Sequence, residues 1–488
     1  MPETVDSLSP LFAWLVSLAL VPVLLVLRKR PNLRDGASLV AGVVKLALVI
    51  SLVPLVTAGK VVVVTLAEVL PGLPIQFRVD GLGLLFALVA SGLWIVTTLY
   101  AMGYMRGLDE HSQTRFYSFF AVSLSATLGV AFAGNLLTLY LFYELLSLST
   151  WPLVTHHGDA EGRSGGRTYL AYLLGSSIGL ALPALIFCYM RSGGNMDFTT
   201  TGFLAGKVSV VEGTVVLLMF TYGFAKAGLM PLHSWLPAAM VAPTPVSALL
   251  HAVAVVKVGV FCVIRVFTGV FGIEFLRGIP GAQIVAALAG ITIVVSSLIA
   301  LSQDNLKRRL AFSTIGQLSY IIMGVALLSD NGTVGSIMHI ATHAFGKITL
   351  FFCAGAIYVA TGKKYVSQMG GLGRRMPWTM GAFLVASLSI IGLPPGGGAW
   401  SKWYLLLGTL DAGAWWLAAA LVASTLLNIG YLLPVAVSAF FGKAAEGDDG
   451  VGGEAPLACV IPLCLTALMT LVWFVFPGLL KTLASLMT

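Results

Sequence analysis

Five ionisable side chains stand inside long apolar stretches of the sequence: Glu144 in "TLYLFYELLSLSTW", Lys226 in "YGFAKAGLMPLHSWLP", and Lys257, Lys347 and Lys402 further along. A charge at the centre of a membrane-spanning helix costs about 2.5–3.5 kcal/mol on insertion scales, so such residues are kept for pairing, hydration or function. Burial favours the neutral form of each group, whereas a nearby opposite charge favours the charged form. A modest rearrangement therefore changes their protonation, and the pattern predicts a relay for protons.

Histidines extend this series. His339, His343 and Lys347 in "MHIATHAFGKITLFF" are spaced i, i+4 and i+8, so they share one face of a helix, and we expect all three in the relay. His251 precedes Lys257 by six residues, nearly opposite on an ideal helix. His251 has equal claims to a role in the core and a role in the relay. If it belongs to the relay, either a local distortion of the helix or separate pockets for His251 and Lys257 would explain the six-residue spacing. The spacing of His339 and His343 would allow a metal, but no carboxylate or cysteine partner is evident, and we assign no metal site.

Two of the charged segments also contain helix breakers, namely Gly228, Pro231, Pro394 and Pro395. The first pair follows Lys226, and the second lies in "GLPPGGGAWSKWY", which ends just past Lys402. Backbone groups freed by such a break need protein or water as partners. Corresponding broken helices in two halves of a chain indicate inverted repeats around a mid-membrane site. A simple proline kink is the alternative, but it does not account for a lysine beside each break.

The composition indicates an all-α integral membrane protein. Hydrophobic residues make up 58% of the 488 residues and charged residues 10%, too few to cover the surface of a soluble protein. Apolar stretches of about 20 residues match the thickness of a bilayer. They predict fourteen transmembrane helices, at 9–27, 38–58, 79–103, 117–133, 135–155, 168–190, 213–233, 244–266, 281–301, 308–329, 333–360, 379–409, 413–441 and 457–480.

The distribution of basic residues predicts the orientation in the membrane. Of the lysines and arginines in loops, 16 fall on one side and 6 on the other, so both termini are expected outside the cytoplasm of a cell (inner) membrane. The net charge of +8 follows largely from this bias, and nucleic-acid binding is not needed to explain it. Near the helix ends we expect Arg265 to extend to the surface, while a lipid-facing or structural role for Lys45 stays open.

The remaining features suggest neither a cofactor nor a soluble domain. The five cysteines form no CxxC or Cys/His pattern, which argues against a disulfide framework or an iron–sulfur site. "GGLGRR" at 370–375 follows no strand and is not expected to bind a nucleotide. Alternating residues within 61–81 predict a small strand pair on the outer surface, and the polar segment 443–456 predicts a hinge.

Four motifs, in order, resemble the antiporter-like subunit family: "FAKAGLMPLHSWLPAAMVAPTPVSALLHAVAVVKVGVF", "NLKRRLAFSTIGQLSYIIMG", "HAFGKITLFFCAG" and "GLPPGGGAWSK". This family includes the large membrane subunits of respiratory complex I, Mrp-type cation/proton antiporters and membrane hydrogenases. The resemblance implies two inverted five-helix repeats, at 117–266 and 281–441, between N-terminal helices in 1–116 and a last helix in 457–488. It also implies the family roles of six positions: the helix-5 glutamate for Glu144, the helix-7 lysine for Lys226, the helix-8 bridging lysine for Lys257, the helix-11 pair for His343 and Lys347, and the exit-side lysine for Lys402.

Lys402 resembles the D-type branch of the Mrp antiporter subunits and the complex I members that have lysine there. The resemblance therefore implies a D-type subunit of a monovalent cation (Na⁺)/H⁺ antiporter that works with other membrane subunits and carries no cofactor. The alternative it leaves open is a proton-pumping subunit of a complex I-like NADH-quinone oxidoreductase or membrane hydrogenase, with the redox chemistry on partner subunits. A self-sufficient carrier for an organic solute would need a polar substrate cavity instead, and a structural scaffold would leave the five charges unexplained.

Overall fold

The computed structural model describes residues 3–70, 72–443 and 453–487. One small three-stranded sheet is formed by β1 (Thr4–Asp6), β2 (Val61–Leu70) and β3 (Leu73–Val79). β2 and β3 pair antiparallel, which confirms the predicted strand pair, and β1 adds a parallel strand that the sequence did not indicate. Most of the predicted hinge, residues 444–452, lies outside the described residues.

Helices make up nearly all of the rest. Their bounds are α1 Ser9–Val26, α2 Pro31–Ile50, α3 Val53–Thr57, α4 Gly81–Gly107, α5 Gln113–Ala131, α6 Leu136–Val154, α7 Ala160–Ser176, α8 Leu182–Ser192, α9 Val210–Gly223, α10 Trp235–Ala238, α11 Thr244–Ala248, α12 Val255–Arg265, α13 Ile273–Leu276, α14 Pro280–Ser302, α15 Leu306–Ala326, α16 Asp330–Thr361, α17 Pro377–Ile391, α18 Gly398–Asp411, α19 Trp415–Phe441, α20 Leu457–Val475 and α21 Gly478–Ser485.

Ten helical segments in the described part of the chain are long and apolar enough to cross a membrane, and α9 and α17 are shorter apolar helices. The all-α membrane architecture is therefore confirmed, while the number of fourteen spans stays a prediction. Several starts are set by side-chain caps that accept a backbone N–H of the first turn. These caps are Asp80, Asn135, Asp159, Ser209, Asn305 and Ser329.

Several predicted helices differ in their bounds from the observed ones; the helix predicted over 38–58, for example, is divided into α2 and α3. The helix predicted from 168 begins at Ala160, because Asp159 caps it. The helix predicted over 213–233 stops at Gly223. The helix predicted over 379–409 is divided into α17 and α18, because Gly392 takes a left-handed conformation that ends α17.

The segment 244–271 forms the centre of the molecule. All residues of its most apolar window are buried, and its α-helices α11 and α12 are joined by a π-helical turn, Leu249–Val253. Ala254, which follows this turn, has φ −101° and ψ −78°, outside helical values. The helix is thus distorted between His251 and Lys257, and a local distortion was one of the two explanations that their six-residue spacing left open.

The two described ends of the chain lie on the same face. β1 pairs with β2, and α21 packs on the start of α4 so closely that a Cβ on Gly81 would lie 2.4 Å from the Leu483 carbonyl oxygen. Near this face Arg265 does not extend to the surface, and that prediction is wrong. Its guanidinium is 3% exposed and donates to both carboxylate oxygens of Asp80, at 2.5 and 2.7 Å.

Candidate functional site

The helix break beside Lys226 lies where the turn that contains this lysine packs closely against the backbone of α12. After α9 ends at Gly223, Lys226 lies in a single 3₁₀ turn, Ala225–Ala227, which Gly228 ends with φ +70°. A Cβ on Gly259 of α12 would lie 2.1 Å from the backbone nitrogen of Ala227, so only glycine lets the turn approach α12. The lysine is thereby fixed at the interrupted end of a helix, inside the protein.

The Lys226 ammonium is held by neutral partners on α6. Its Nζ donates to the Tyr143 carbonyl at 2.8 Å and to the Ser147 hydroxyl at 2.6 Å, and it lies 3.0 Å from the centroid of the Tyr143 ring. The side chain is fully buried. The charge is therefore stabilised by hydrogen bonds and by the aromatic face.

Glu144 lies next to Tyr143 in the chain, within electrostatic range of Lys226 but not in contact with it. The described residues contain no ion pair between the two, and one Glu144 carboxylate oxygen is buried with no hydrogen-bond partner. Glu144 is only partly buried and shares a helix face with Leu141, Leu148 and Trp151, which are 41%, 55% and 41% exposed. Glu144 thus lies on the outward-facing side of α6, within electrostatic range of Lys226.

Lys257 and His343 meet between α12 and α16, where the lysine Nζ contacts the His343 Nδ1. Both side chains are buried. His251 lies in the π-helical turn with neither ring nitrogen hydrogen-bonded in the described structure, and Lys347 and Lys257 are among the charges within electrostatic range of it. Its ring packs 4.6 Å from that of Phe351.

The other members of the α16 stripe enter a network of polar side chains from α15, α18 and α19. His339 pairs through Nδ1 with the Ser401 hydroxyl at 2.8 Å and through Nε2 with the Gln317 amide oxygen at 3.1 Å. Lys347 donates to the Ser313 hydroxyl at 2.8 Å, which also accepts from the Tyr431 hydroxyl at 2.8 Å.

Asn428 joins these contacts to Lys402. With its amide nitrogen donating to the Ser424 carbonyl at 3.2 Å, its oxygen accepts from Gln317 Nε2 at 3.0 Å and from Lys402 Nζ at 3.2 Å. This orientation satisfies both ends of the amide, which the reverse orientation does not. Its nitrogen also lies in hydrogen-bond contact with the Tyr431 hydroxyl. Lys347, His339 and Lys402 are therefore connected through Asn428.

Lys402 lies at the second break. Its Nζ donates at 3.0 Å to the carbonyl of Ile391, the last residue of α17, and lies 4.6 Å from the centroid of the Tyr320 ring. The carbonyl is free because the helix ends there. Each of the two breaks thus has a lysine beside it, and each lysine ammonium has a backbone carbonyl and an aromatic ring as partners.

Direct contacts do not cover the whole predicted series. No hydrogen bond in the described residues joins Lys226 to Lys257, and His343 Nε2 has no partner although its ring is 5.7 Å from that of His339. Water would have to bridge these two intervals. Sequence reasoning missed Gln317, Ser313, Tyr431 and Asn428, although an amide in "STIGQLSY" and another in "LLNIGYLL" were the available signals.

Two cavities open on opposite faces. One, of about 750 Å³, has Lys307, Lys364, His233 and Glu110 in its wall. It lies on the face that carries Arg308 and the excess of basic loop residues, called the arginine-rich face below. The other, of about 540 Å³, lies on the face of the sheet and includes Asp80 and Arg265.

The family described as "NADH:quinone oxidoreductase/Mrp antiporter, TM" matches residues 133–428, and that described as "NADH-Ubiquinone oxidoreductase (complex I), chain 5 N-terminus" matches residues 72–117. NADH-quinone oxidoreductase subunit N of Desulforudis audaxviator is 33% identical over 82% of this chain and 82% of its own length. The A/B subunit of a probable K(+)/H(+) antiporter of Rhizobium meliloti is 33% identical over 68% of this chain, but the match spans only 32% of that longer protein.

Two solved structures share the fold. A chain of the Mrp complex from a Dietzia species superposes with a TM-score of 0.87 over 98% of this chain and 96% of its own length, at 23% identity. A chain of the membrane-bound sulfane sulfur reductase, an archaeal respiratory membrane complex, gives 0.87 over 99% and 98%, at 22% identity. At this level of identity the likeness concerns the fold.

Proposed function

Because this chain belongs to the NADH:quinone oxidoreductase/Mrp antiporter family of membrane subunits, we propose that it moves protons across the bilayer along its buried ionisable groups. The relay consists of Glu144, Lys226, Lys257, His251, His339, His343, Lys347 and Lys402. The helix breaks at Gly228, Pro231, Pro394 and Pro395 are part of this proposal. The second break leaves the Ile391 carbonyl free for Lys402, whereas Lys226, beside the first break, bonds to the Tyr143 carbonyl of α6.

The absence of carboxylate partners is the observation that supports this function most strongly. In the described residues none of the four relay lysines has a carboxylate oxygen within 4.0 Å, and each is held by a carbonyl, a hydroxyl, an amide or an imidazole. Buried arginines with structural roles differ, since Arg265 pairs with Asp80 and Arg34 with Asp35. A lysine with neutral partners leaves no unpaired buried anion when it releases its proton.

Glu144 has a distinct place in this proposal. A carboxylate facing hydrocarbon would be costly, by about 2.5–3.5 kcal/mol, so we assign its partly exposed face to contact with another membrane subunit. The neighbouring Leu141, Leu148 and Trp151 would be covered by the same contact. Contact with the partner subunit would then change the environment of Glu144. Through its electrostatic interaction with Lys226, Glu144 would in turn change the protonation of that lysine.

At a finer level we assign the chain to the D-type subunits of multi-subunit monovalent cation (Na⁺)/H⁺ antiporters. It would lie in the cell (inner) membrane with both termini outside the cytoplasm and with inverted repeats at 117–266 and 281–441. The excess of basic loop residues on one face supports this orientation. The side chains of the relay exchange protons, and none of them is a redox group.

The alternative is a redox-driven proton pump of a complex I-like or hydrogenase complex. It is favoured by the match to subunit N, which spans 82% of both proteins. The two assignments differ in what drives the protons. Everted membrane vesicles that contain the complete complex should therefore be assayed for a pH change after addition of NaCl, of KCl, or of an electron donor such as NADH or hydrogen.

A response to NaCl that Lys226→Ala and Glu144→Ala abolish would support the antiporter assignment, and a response only to an electron donor would support the pump. Lys402→Ala should impair proton release while leaving the assembled amount unchanged. A fully active Lys226→Ala complex would overturn the relay under either assignment.

A further inference from the structure

A cluster of histidines and one carboxylate lies on the arginine-rich face, apart from the relay. Glu110 and His111 are in the loop between α4 and α5, and His156 follows α6. One potential ligand atom from each of these three residues lies within 4.8 Å of the other two. We propose that Glu110, His111 and His156 bind a divalent transition-metal ion of the zinc class.

The distances are close to those of a formed site. Glu110 Oε2 lies 3.9 Å from His111 Nδ1 and 4.0 Å from His156 Nε2. With metal–ligand bonds of about 2.0–2.1 Å, neighbouring ligand atoms of a tetrahedral site are about 3.3 Å apart. The two pairs that include Glu110 therefore have to approach by less than about 1 Å, and the two imidazoles, whose ligand atoms lie within 4.8 Å of each other, by at most about 1.5 Å. His111 is exposed and belongs to a loop, so it has room for this movement.

His156 gives independent evidence for a ligand. Its side chain is only 1% exposed, yet neither of its ring nitrogens has a hydrogen-bond partner in the described structure. An unsatisfied buried polar group costs about 1–3 kcal/mol, and native folds rarely leave one. A metal ion beside Glu110 would occupy the His156 Nε2 lone pair and remove the cost that this nitrogen contributes.

The surroundings support a metal held by nitrogen and oxygen. The second carboxylate oxygen of Glu110 pairs with His157 Nε2 at 3.2 Å, a contact of the kind that orients a carboxylate ligand. Arg115 donates at 2.7 Å to the His156 carbonyl. Two imidazoles and a carboxylate suit zinc, copper or nickel better than calcium or magnesium, and they leave a fourth position for water.

The position of the site relates it to access from this face. Glu110 and His157 also line the 750 Å³ cavity, so the ion would add positive charge at its rim. The binding site itself does not depend on the proposed transport function, and its test measures binding alone.

The test is titration of the purified full-length chain in detergent with Zn²⁺, using a histidine-free affinity tag, together with zinc X-ray absorption of the loaded protein. We expect one tight Zn²⁺ per chain, with imidazole scattering and a nitrogen/oxygen shell at about 2.0–2.1 Å. Glu110→Gln and His111→Gln should each weaken binding by at least about tenfold. His233→Gln, which removes a histidine whose ring contacts the Pro231 carbonyl, should bind like the wild type.

Both test residues are at least partly exposed, so these variants should fold, and their elution from a sizing column verifies it. His156→Gln, which removes the buried ligand, is added as a third variant with the same check. Absence of stoichiometric Zn²⁺ binding to the folded wild type would overturn the proposal. Equal binding by Glu110→Gln, His111→Gln and the wild type would do the same, since the ion would then lie elsewhere.

Discussion

The Lys402 side chain occupies the space in which a side chain on Gly392 would lie. A Cβ on Gly392 would be 2.5 Å from Lys402 Cδ, and the backbone there has φ +93°. Glycine at the end of α17 thus does two things at once: it ends the helix, and it lets the lysine reach the Ile391 carbonyl that the helix end exposes. The position of the second break and the position of its lysine are one structural feature.

Gly392→Ala should reduce proton transport by at least about tenfold, because the added methyl group displaces Lys402 from its partners. The measurement is the cation- or donor-driven pH change in everted vesicles, normalised to the assembled amount of this chain. Gly413→Ala is the matched control, since Gly413 also has a left-handed backbone (φ +64°) but open space around its Cα. Equal losses in both variants would mean that backbone strain, and not Lys402, causes the effect.

Asn428→Leu should interrupt transport while preserving the fold. The substitution removes the amide that joins Lys402 to Gln317 and Tyr431, and leucine has a similar volume. Proton flux is the measurement, with thermal stability as the check on folding. Ser424→Ala serves as the control one turn earlier on α19, because the Ser424 hydroxyl pairs with Ser297 at 2.8 Å outside this connection. Unchanged flux in Asn428→Leu would exclude Asn428 from the relay.

Asp80→Asn should destabilise the chain without acting on the relay. Asparagine still caps α4, but Arg265 is left buried without its anion, a change that costs about 3–5 kcal/mol for buried pairs. Glu274→Gln, which removes an exposed partner of Arg277, should cost only about 0–1 kcal/mol. Thermal unfolding in detergent at neutral pH measures both. The Asp80–Arg265 pair would count as unimportant for stability if the two variants unfolded at the same temperature.

The Asp80–Arg265 pair should make the stability of the folded chain depend on pH. Burial alone would raise the pKa of Asp80, but the Arg265 guanidinium and the Gly83 amide outweigh it and hold the pKa below its ordinary value. Because the folded chain favours the carboxylate, the pair contributes fully above the ordinary aspartate pKa of about 4, and its contribution is lost as the pH falls below that value. The stability difference between wild type and Asp80→Asn should therefore be constant from neutral pH down to about pH 5 and shrink below about pH 4.

Much of the fold could be predicted from sequence features that act locally, within a single helix or strand. Breakers beside Lys226 and Lys402, alternation before Asp80 and the long apolar stretches all act within one element, so their effects follow from the residues themselves. The six-residue spacing of His251 and Lys257 left a local distortion and separate pockets as alternatives, and the structure has a π-helical turn at this position.

The contacts between elements were not accessible in the same way. Asn428 contacts Lys402, Gln317 and Tyr431 because α19 packs beside α15 and α18, and a lone asparagine in an apolar stretch does not identify its partners. Arg265 pairs with Asp80, which is 185 residues away in the sequence, and His156 lies close to Glu110 of another loop. Helix-face periodicity orients a side chain on its own helix, but only the packing of several helices decides which groups it meets.

Proton flux through a Lys347→Gln variant tests the central claim most directly. Lys347 is fully buried, bonds to neutral Ser313 and leads through Tyr431 to Asn428, so glutamine keeps much of its size but removes the exchangeable charge. Lys45→Gln is the control, since Lys45 is equally buried and donates to the Leu124 carbonyl at 3.4 Å, but it has no contact with the relay in the described residues. In proteoliposomes of the purified complex, we predict flux near background for Lys347→Gln and near wild type for Lys45→Gln. Wild-type flux through Lys347→Gln would contradict a proton path along the buried lysines.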